Sequence, residues 1–148
     1  MTLKICIVSS CGGHLTEVRA LKSIYEKWAH FYVLNDKIQL PKDMEGITYF
    51  IRHSERDWLF FTNLLEAWKI LRKEKPNLIL STGAGPAVAF ALVGKFFQIS
   101  TIFIETFTRV KEASLTGKIM YWLADLFFYQ WEPLARFFPK GTYGVPLV

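Results

Sequence analysis

The sequence predicts a single Rossmann-like, doubly wound α/β sheet, and three observations carry that prediction. Short β-branched runs alternate with longer stretches of helical period, the pattern of βαβ units and a parallel sheet. Glycine turns follow the first and the fourth of those runs, where a strand hands over to a helix in such a sheet. The length of 148 residues allows one domain and no more, at roughly 100 to 200 residues per domain.

Residues 3–8 read as a buried strand and Ser9-Ser10-Cys11-Gly12-Gly13 as a turn. From His14, the apolar residues Leu15, Val18, Leu21, Tyr25 and Trp28 recur at steps of three and four, so one amphipathic helix is expected to run to Trp28. Residues 31–34 and 47–51 are the next strands, with a polar loop between them. The second helix, residues 56–74, has two apolar rows, Trp58, Phe61, Leu65, Trp68 and Leu71 beside Phe60, Ala67 and Ile70. That stripe is wider than one sheet face requires. A short strand at 78–80 leads into the turn Ser81-Thr82-Gly83-Ala84-Gly85-Pro86, with proline where a helix begins. An apolar helix at 87–97, a strand at 101–104 ending at Glu105, a polar loop, a helix near 115–123 and a strand near 127–129 complete the pattern before the tail from Pro133.

Composition narrows the function classes. Hydrophobic residues at 51% and charged residues at 21% exclude a disordered chain. Eighteen Lys and Arg against 13 Asp and Glu give a formal charge of +5, which favours an anionic partner. Nucleic acid is a poor candidate, since no run interleaves Lys and Arg with aromatics. Cys6 and Cys11 form neither a disulfide framework nor a C-x-x-C pair, so a reducing cytosol is expected, with no metal site and no cofactor. The longest uncharged stretch, residues 76–94, is broken by Pro76, Gly83, Gly85 and Pro86, against a membrane span. No signal peptide is expected at the N-terminus.

Both glycine turns open on one edge of the sheet, where backbone N–H groups and helix N-termini meet anions. The first lacks the third glycine of G-x-G-x-x-G, and no Gly-Lys-Ser/Thr occurs, so a P-loop is excluded and only Asp36 keeps a ribose-binding dehydrogenase open. His14 falls in the first turn of a helix, where the dipole favours the neutral imidazole that a general base needs. Glu17 stands one turn later. The same two residues also suit a helix cap, and spacing leaves both readings open.

Five ordered motifs then narrow the field: Ser10-Cys11-Gly12-Gly13-His14-Leu15-Thr16-Glu17, Ser81-Thr82-Gly83-Ala84-Gly85-Pro86, Glu105-Thr106-Phe107-Thr108-Arg109, Ser114-Leu115-Thr116-Gly117-Lys118 and Phe127-Phe128-Tyr129-Gln130-Trp131. Across essentially the whole chain they resemble the membrane-associated subunit of the split GlcNAc transferase of dolichol-linked oligosaccharide synthesis. The likeness is greater still to its bacterial counterparts in capsule and exopolysaccharide synthesis. The resemblance implies residues 1–148 as the acceptor-side, N-terminal half of a GT-B glycosyltransferase, inactive without a separate donor-binding subunit. The reaction implied is transfer from a UDP-sugar to a lipid-linked (polyprenyl-diphosphate) sugar acceptor.

Family likeness further implies His14 and Glu17 as catalytic residues, and Gly12, Gly13, Gly83, Gly85, Pro86, Glu105 and Arg109 around the substrate. Arg109 near Glu105 reads equally as an ion pair or as a fork for phosphate. Eukaryotic members carry an anchor ahead of Gly-Ser-Gly-Gly-His. Here Cys11 precedes the glycine pair, read as a small turn residue, and peripheral membrane contact at the cytoplasmic face of the plasma membrane is expected. Arg52, Arg56, Trp58, Phe60 and Phe61 are the expected contact, against a reading as plain helix packing. The segment 131–148, with Leu134, Phe137, Phe138, Tyr143, Val145 and Leu147, is expected to hold the partner, or else to close the sheet as a last strand and turn. A nucleotide-sensing Rossmann-like module without catalysis is the rival function.

Overall fold

A computed structural model describes residues 2–35, 38–53 and 58–144. Its centre is β1 (Lys4–Ser9), a run of Ile, Cys and Val buried on both faces, as the middle strand of a parallel sheet must be. It pairs with β2 (Ala29–Leu34) on one side and β4 (Leu78–Gly83) on the other, both parallel. Beyond β2 lies β3 (Thr48–Phe50); beyond β4 follow β5 (Ser100–Ile104), β6 (Leu126–Tyr129) and β7 (Thr142–Tyr143). The order is β3-β2-β1-β4-β5-β6-β7, so the winding reverses between β1 and β4. At that reversal the crossovers diverge to opposite faces and leave a crevice at the carboxyl ends of the strands.

Two layers of helix cover the sheet. α1 (Gly13–Ala20) and the short α2 (Lys22–Tyr25) lie on one face, where Leu15, Val18 and Tyr25 meet Ile5, Ile7, Tyr32 and Leu80. On the other face α3 (Leu59–Glu74), α4 (Gly85–Phe96) and α5 (Leu115–Leu123) pack side by side. Ala67, Ile70, Leu71 and Phe90 meet Cys6, Val8, Phe31 and Ile79 there, and Ala87, Ala91 and Met120 meet Phe103 and Phe127. Alternate residues of each strand thus feed different cores, as a period of two requires.

The elements expected from sequence are present with two differences. The helix from His14 ends at Ala20, because Leu21 leaves helical geometry (φ −87°, ψ 4°). The bend carries Tyr25 into the core, where its hydroxyl meets that of Tyr32 at 3.0 Å, and leaves Trp28 exposed. The fourth strand runs on through Ser81 and Thr82 to Gly83, residues read from sequence as a turn. Both hydroxyls are buried but engaged: Ser81 Oγ accepts from the Gly83 N–H at 3.1 Å, and Thr82 Oγ1 donates to the His14 carbonyl at 2.8 Å. The segment after Trp131 takes the second of its two expected forms: it closes the sheet through β7 and buries Leu134 and Phe138 in the core beside α5. Those two side chains are not free for a partner; Val145 and Leu147 lie outside the described residues. The stretch 76–94 divides between β4 and α4, and among the described residues no helix is long and apolar enough to cross a membrane.

Candidate functional site

The crevice at the reversal is a cleft of about 660 Å³, reaching from Asn35 just beyond β2 and His53 just beyond β3 to Leu115 and Ile119 on α5. Its floor is two turns tied together: the Ser10 N–H donates to the Gly83 carbonyl at 3.0 Å, and the Ala84 N–H donates to Ser10 Oγ at 3.1 Å. α1 and α4 begin at these turns with no side-chain cap and no acidic residue in the first turn. Two uncapped helix N-termini therefore meet at one crevice, an arrangement that favours an anion.

His14 sits between them. Its Nδ1 lies 3.0 Å from the Thr82 carbonyl oxygen, which can only accept, so Nδ1 carries the proton and Nε2 is left as the basic nitrogen. The ring crosses so close over Gly83 that a Cβ there would fall 2.8 Å from His14 Cε1, and Gly83 has φ +121°. Only glycine fits both constraints. The sequence motifs around His14 and Gly83 are thus two halves of one packing contact.

Glu17 does not share the cleft with His14. It is buried beneath the loop that follows β5, accepting from Thr106 Oγ1 at 2.5 Å and from the Phe107 N–H at 3.3 Å. Burial pushes its carboxyl above the ordinary range, against the opposing effect of those two hydrogen bonds and of nearby His14. Glu105 borders the cleft but is equally committed: it accepts from the Thr106 N–H at 3.0 Å, the Ser114 N–H at 3.0 Å and the Ser114 hydroxyl at 2.7 Å. Ser114 Oγ in turn caps α5 through the Gly117 N–H at 2.8 Å. A Cβ at Gly117 would stand 1.9 Å from Glu105 Oε2, so the glycine of that motif makes room for the carboxylate.

These two carboxylates, with Gln130 Nε2 on the Glu105 carbonyl at 3.0 Å and Trp131 Nε1 on the Phe107 carbonyl at 2.5 Å, fix a loop whose tip presents Thr108 and Arg109. Glu105 is not paired with Arg109. Among the described residues no carboxylate pairs with Arg109, whose side chain is exposed at the rim of the cleft. Of the remaining expected site residues, Gly83, Gly85 and Pro86 line the cleft, whereas Gly12 and Gly13 lie exposed beside it and set the start of α1.

Phe60 is half-buried and lines the cleft, while Trp58 and Phe61 are exposed with ring centroids 5.8 Å apart. Arg52 is exposed, its backbone held by Asn63 and Glu66; Arg56 and Asp36 lie outside the described residues. The cleft also uses Ser10, Thr82, Thr106, Thr108, Ser114 and Thr116, a hydroxyl-rich set that sequence reasoning left unassigned. The signal was present, since each falls in one of the five motifs, but a motif does not say which hydroxyl faces a cleft and which closes a turn.

Comparison with known proteins gives the family. Residues 57–147 match the family model described as "Oligosaccharide biosynthesis protein Alg14 like". A human protein, UDP-N-acetylglucosamine transferase subunit ALG14, is 27% identical and aligns over 96% of this chain and 82% of its own length. The Schizosaccharomyces pombe protein of the same name is 37% identical over 73 residues, covering 46% of this chain. Among solved structures, Acinetobacter baumannii MurG superposes with TM-score 0.72 at 14% identity over 86% of this chain, and a UDP-N-acetylglucosamine 2-epimerase from Rickettsia bellii with 0.74 at 16% over 94%. At that identity the likeness is one of fold, to the Rossmann-like N-terminal lobe. This chain spans about two fifths of the length of each, 41% and 42%.

Proposed function

The chain belongs to the Alg14-like family of oligosaccharide biosynthesis proteins, and from that premise we propose that it is the acceptor-side half of a two-component GT-B glycosyltransferase. Its partner is a separate subunit that binds a UDP-sugar, UDP-GlcNAc by analogy with the names of the relatives, and its acceptor is a sugar on a lipid diphosphate. The observation that carries the reading is His14, held as the Nδ1–H tautomer at the crevice where two uncapped helices converge. Nε2 takes the proton from the acceptor hydroxyl as that oxygen attacks the anomeric carbon of the donor sugar, and the UDP leaves with the electrons of the broken bond. The helix N-termini and Arg109 hold the acceptor diphosphate. Glu17 and Glu105 are positioning residues that hold the Arg109 loop.

Residues 1–148 act as one unit in this scheme, and the chain works peripherally at the cytoplasmic face of a membrane. The capsule and exopolysaccharide setting rests on motif likeness alone. The matched relatives named above are eukaryotic, so the proposal stops at a lipid-linked sugar acceptor. Co-expression with a candidate donor-binding subunit tests the pairing: a stable heteromeric complex on size exclusion is expected. A chain that stays alone and binds a nucleotide by itself would favour the rival, a nucleotide-sensing module.

A further inference from the structure

We propose that the outer surface of α3, α4 and α5 is a docking plane for an anionic lipid bilayer and brings the mouth of the cleft to the membrane surface. This rests on the lipid-linked acceptor proposed above and assigns the face that meets it. The starting observation is that each of the three helices is apolar on two sides. Besides the stripe turned to the sheet, α3 and its N-cap residue turn Trp58, Phe61 and Leu65 to solvent at spacings of three and four, Trp58 with 84% of its surface exposed. α4 does the same with Leu92 and Phe96, the latter 69% exposed, and α5 with Leu115, Ile119 and Trp122, the last 75% exposed. A core helix needs one such stripe.

The second stripes are joined into one surface. The helices are packed neighbours, and the half-buried Trp68 of α3 bridges two of them with its ring centroid 4.9 Å from Phe96 of α4. Leu115 and Ile119 belong both to this surface and to the wall of the cleft, so apolar surface is continuous from the plane into the site. A monomer rarely leaves so wide an apolar face uncovered without a use for it.

Charge selects the occupant. Lys69, Arg72 and Lys95 are exposed on these helices, and neither α4 nor α5 contains an acidic residue. The acids of α3 are turned to other work: Glu66 accepts from Asn63 Nδ2 at 3.0 Å, and Glu74 pairs with Lys4 at 2.6 Å. Exposed Trp and Phe set among cations, with no unengaged carboxylate on these helices among the described residues, suits an acyl and headgroup boundary carrying negative lipids. A second copy of this chain fits less well, because a two-fold contact lays the same patch on itself and sets cations against cations.

The test is co-sedimentation of the full chain with phosphatidylcholine vesicles, with and without phosphatidylglycerol. Phe96→Ser with Trp122→Ser is expected to leave the circular dichroism spectrum and melting unchanged, since both side chains are largely exposed, and to lower partitioning about tenfold or more. Lys69→Ala and Lys95→Ala should each cost about fivefold, on phosphatidylglycerol vesicles only, and the loss should vanish near 1 M salt, where screening acts within ~3 Å. Unchanged partitioning of the Phe96/Trp122 variant overturns the proposal. So does a vesicle-free dimer that the same variant dissolves, which gives the face to a second copy, or loss of the donor-binding subunit, which gives it to that partner. Transfer to a water-soluble, short-chain acceptor should survive in this variant. If vesicle binding behaves as expected but no partner ever elicits transfer, the glycosyltransferase reading falls and the docking plane stands.

Discussion

His14 and Thr82 hold each other by two reciprocal hydrogen bonds: the His14 Nδ1–H donates to the Thr82 carbonyl at 3.0 Å, and the Thr82 hydroxyl donates to the His14 carbonyl at 2.8 Å. The pair joins the start of α1 to the end of β4 across the winding reversal. It fixes both the direction of the imidazole and its tautomer, and both are conditions for Nε2 to act as a base.

Replacing His14 by Ala is therefore expected to lower kcat of the reconstituted pair about 100-fold or more, the lower end of what removal of a general base costs. Complex formation should persist. Steady-state kinetics beside size exclusion separates the two; near-wild-type kcat would leave His14 a mere clasp between α1 and β4.

Gly83→Ala meets two obstacles, the positive φ of +121° and the imidazole 2.8 Å from the new Cβ. The expected loss of stability is ~1 to 3 kcal/mol. In a His14→Ala background the collision is gone and only the backbone strain remains, so the same substitution should cost less. Chemical denaturation of the four proteins in this cycle gives the coupling directly; a coupling of zero would mean the ring moves aside freely.

Glu17 predicts a pH dependence of definite sign. Its carboxyl is raised in the folded chain, chiefly by burial, so between its ordinary value of 4.5 and the raised one the folded state binds more protons than the unfolded. Stability from this group is full below that window and declines as pH rises through it. Denaturation of wild type and Glu17→Gln across this range should show the wild-type advantage shrinking with rising pH. Glu74 and Asp43, both lowered chiefly by a hydrogen bond to a lysine, act with the opposite sign and cancel in the difference.

Ser114→Ala removes at once the cap of α5 and the hydroxyl partner of buried Glu105. A loss of ~2 kcal/mol or more is expected, since a cap alone is worth about 1 and an underbonded buried carboxylate costs more. Thermal melting measures it. A loss of a few tenths would mean that water replaces the hydroxyl on Glu105.

For Arg109→Ala, the expected signature is a rise of about tenfold or more in KM for the diphosphate acceptor with kcat less affected, as when a charge-assisted hydrogen bond of ~1.5 to 3 kcal/mol is lost in binding. An unchanged KM would place the diphosphate elsewhere.

Much of this architecture is legible in the sequence because periodicity reports burial. The apolar run at Leu3, Ile5, Ile7 and Val8, the glycine turns at Gly12 and Gly83, and the proline at Pro86 give the sheet and its functional edge. What periodicity does not report is partner choice. Glu17 reads as a cleft residue by its neighbours in the chain, yet it is turned to a loop distant in sequence, at Thr106; Glu105 does border the cleft, but its carboxylate is spent on Ser114 at the cap of α5. Phe60 and Phe61, neighbours in the chain but in different apolar rows, divide between the cleft and solvent because successive helical residues turn by about 100°. The exposed stripes of α4 and α5 were invisible for a related reason: a helix apolar on both sides looks in sequence like one that is fully buried.

In the scheme proposed above this chain supplies half of a glycosyltransferase. Transfer of radiolabelled GlcNAc from UDP-GlcNAc to a lipid-diphosphate sugar, measured for the chain alone, the donor-binding subunit alone and the mixture, tests it most directly. Turnover in the mixture alone, saturating as this chain is titrated into a fixed amount of the other, is the predicted result. Transfer by either protein without the other would contradict it.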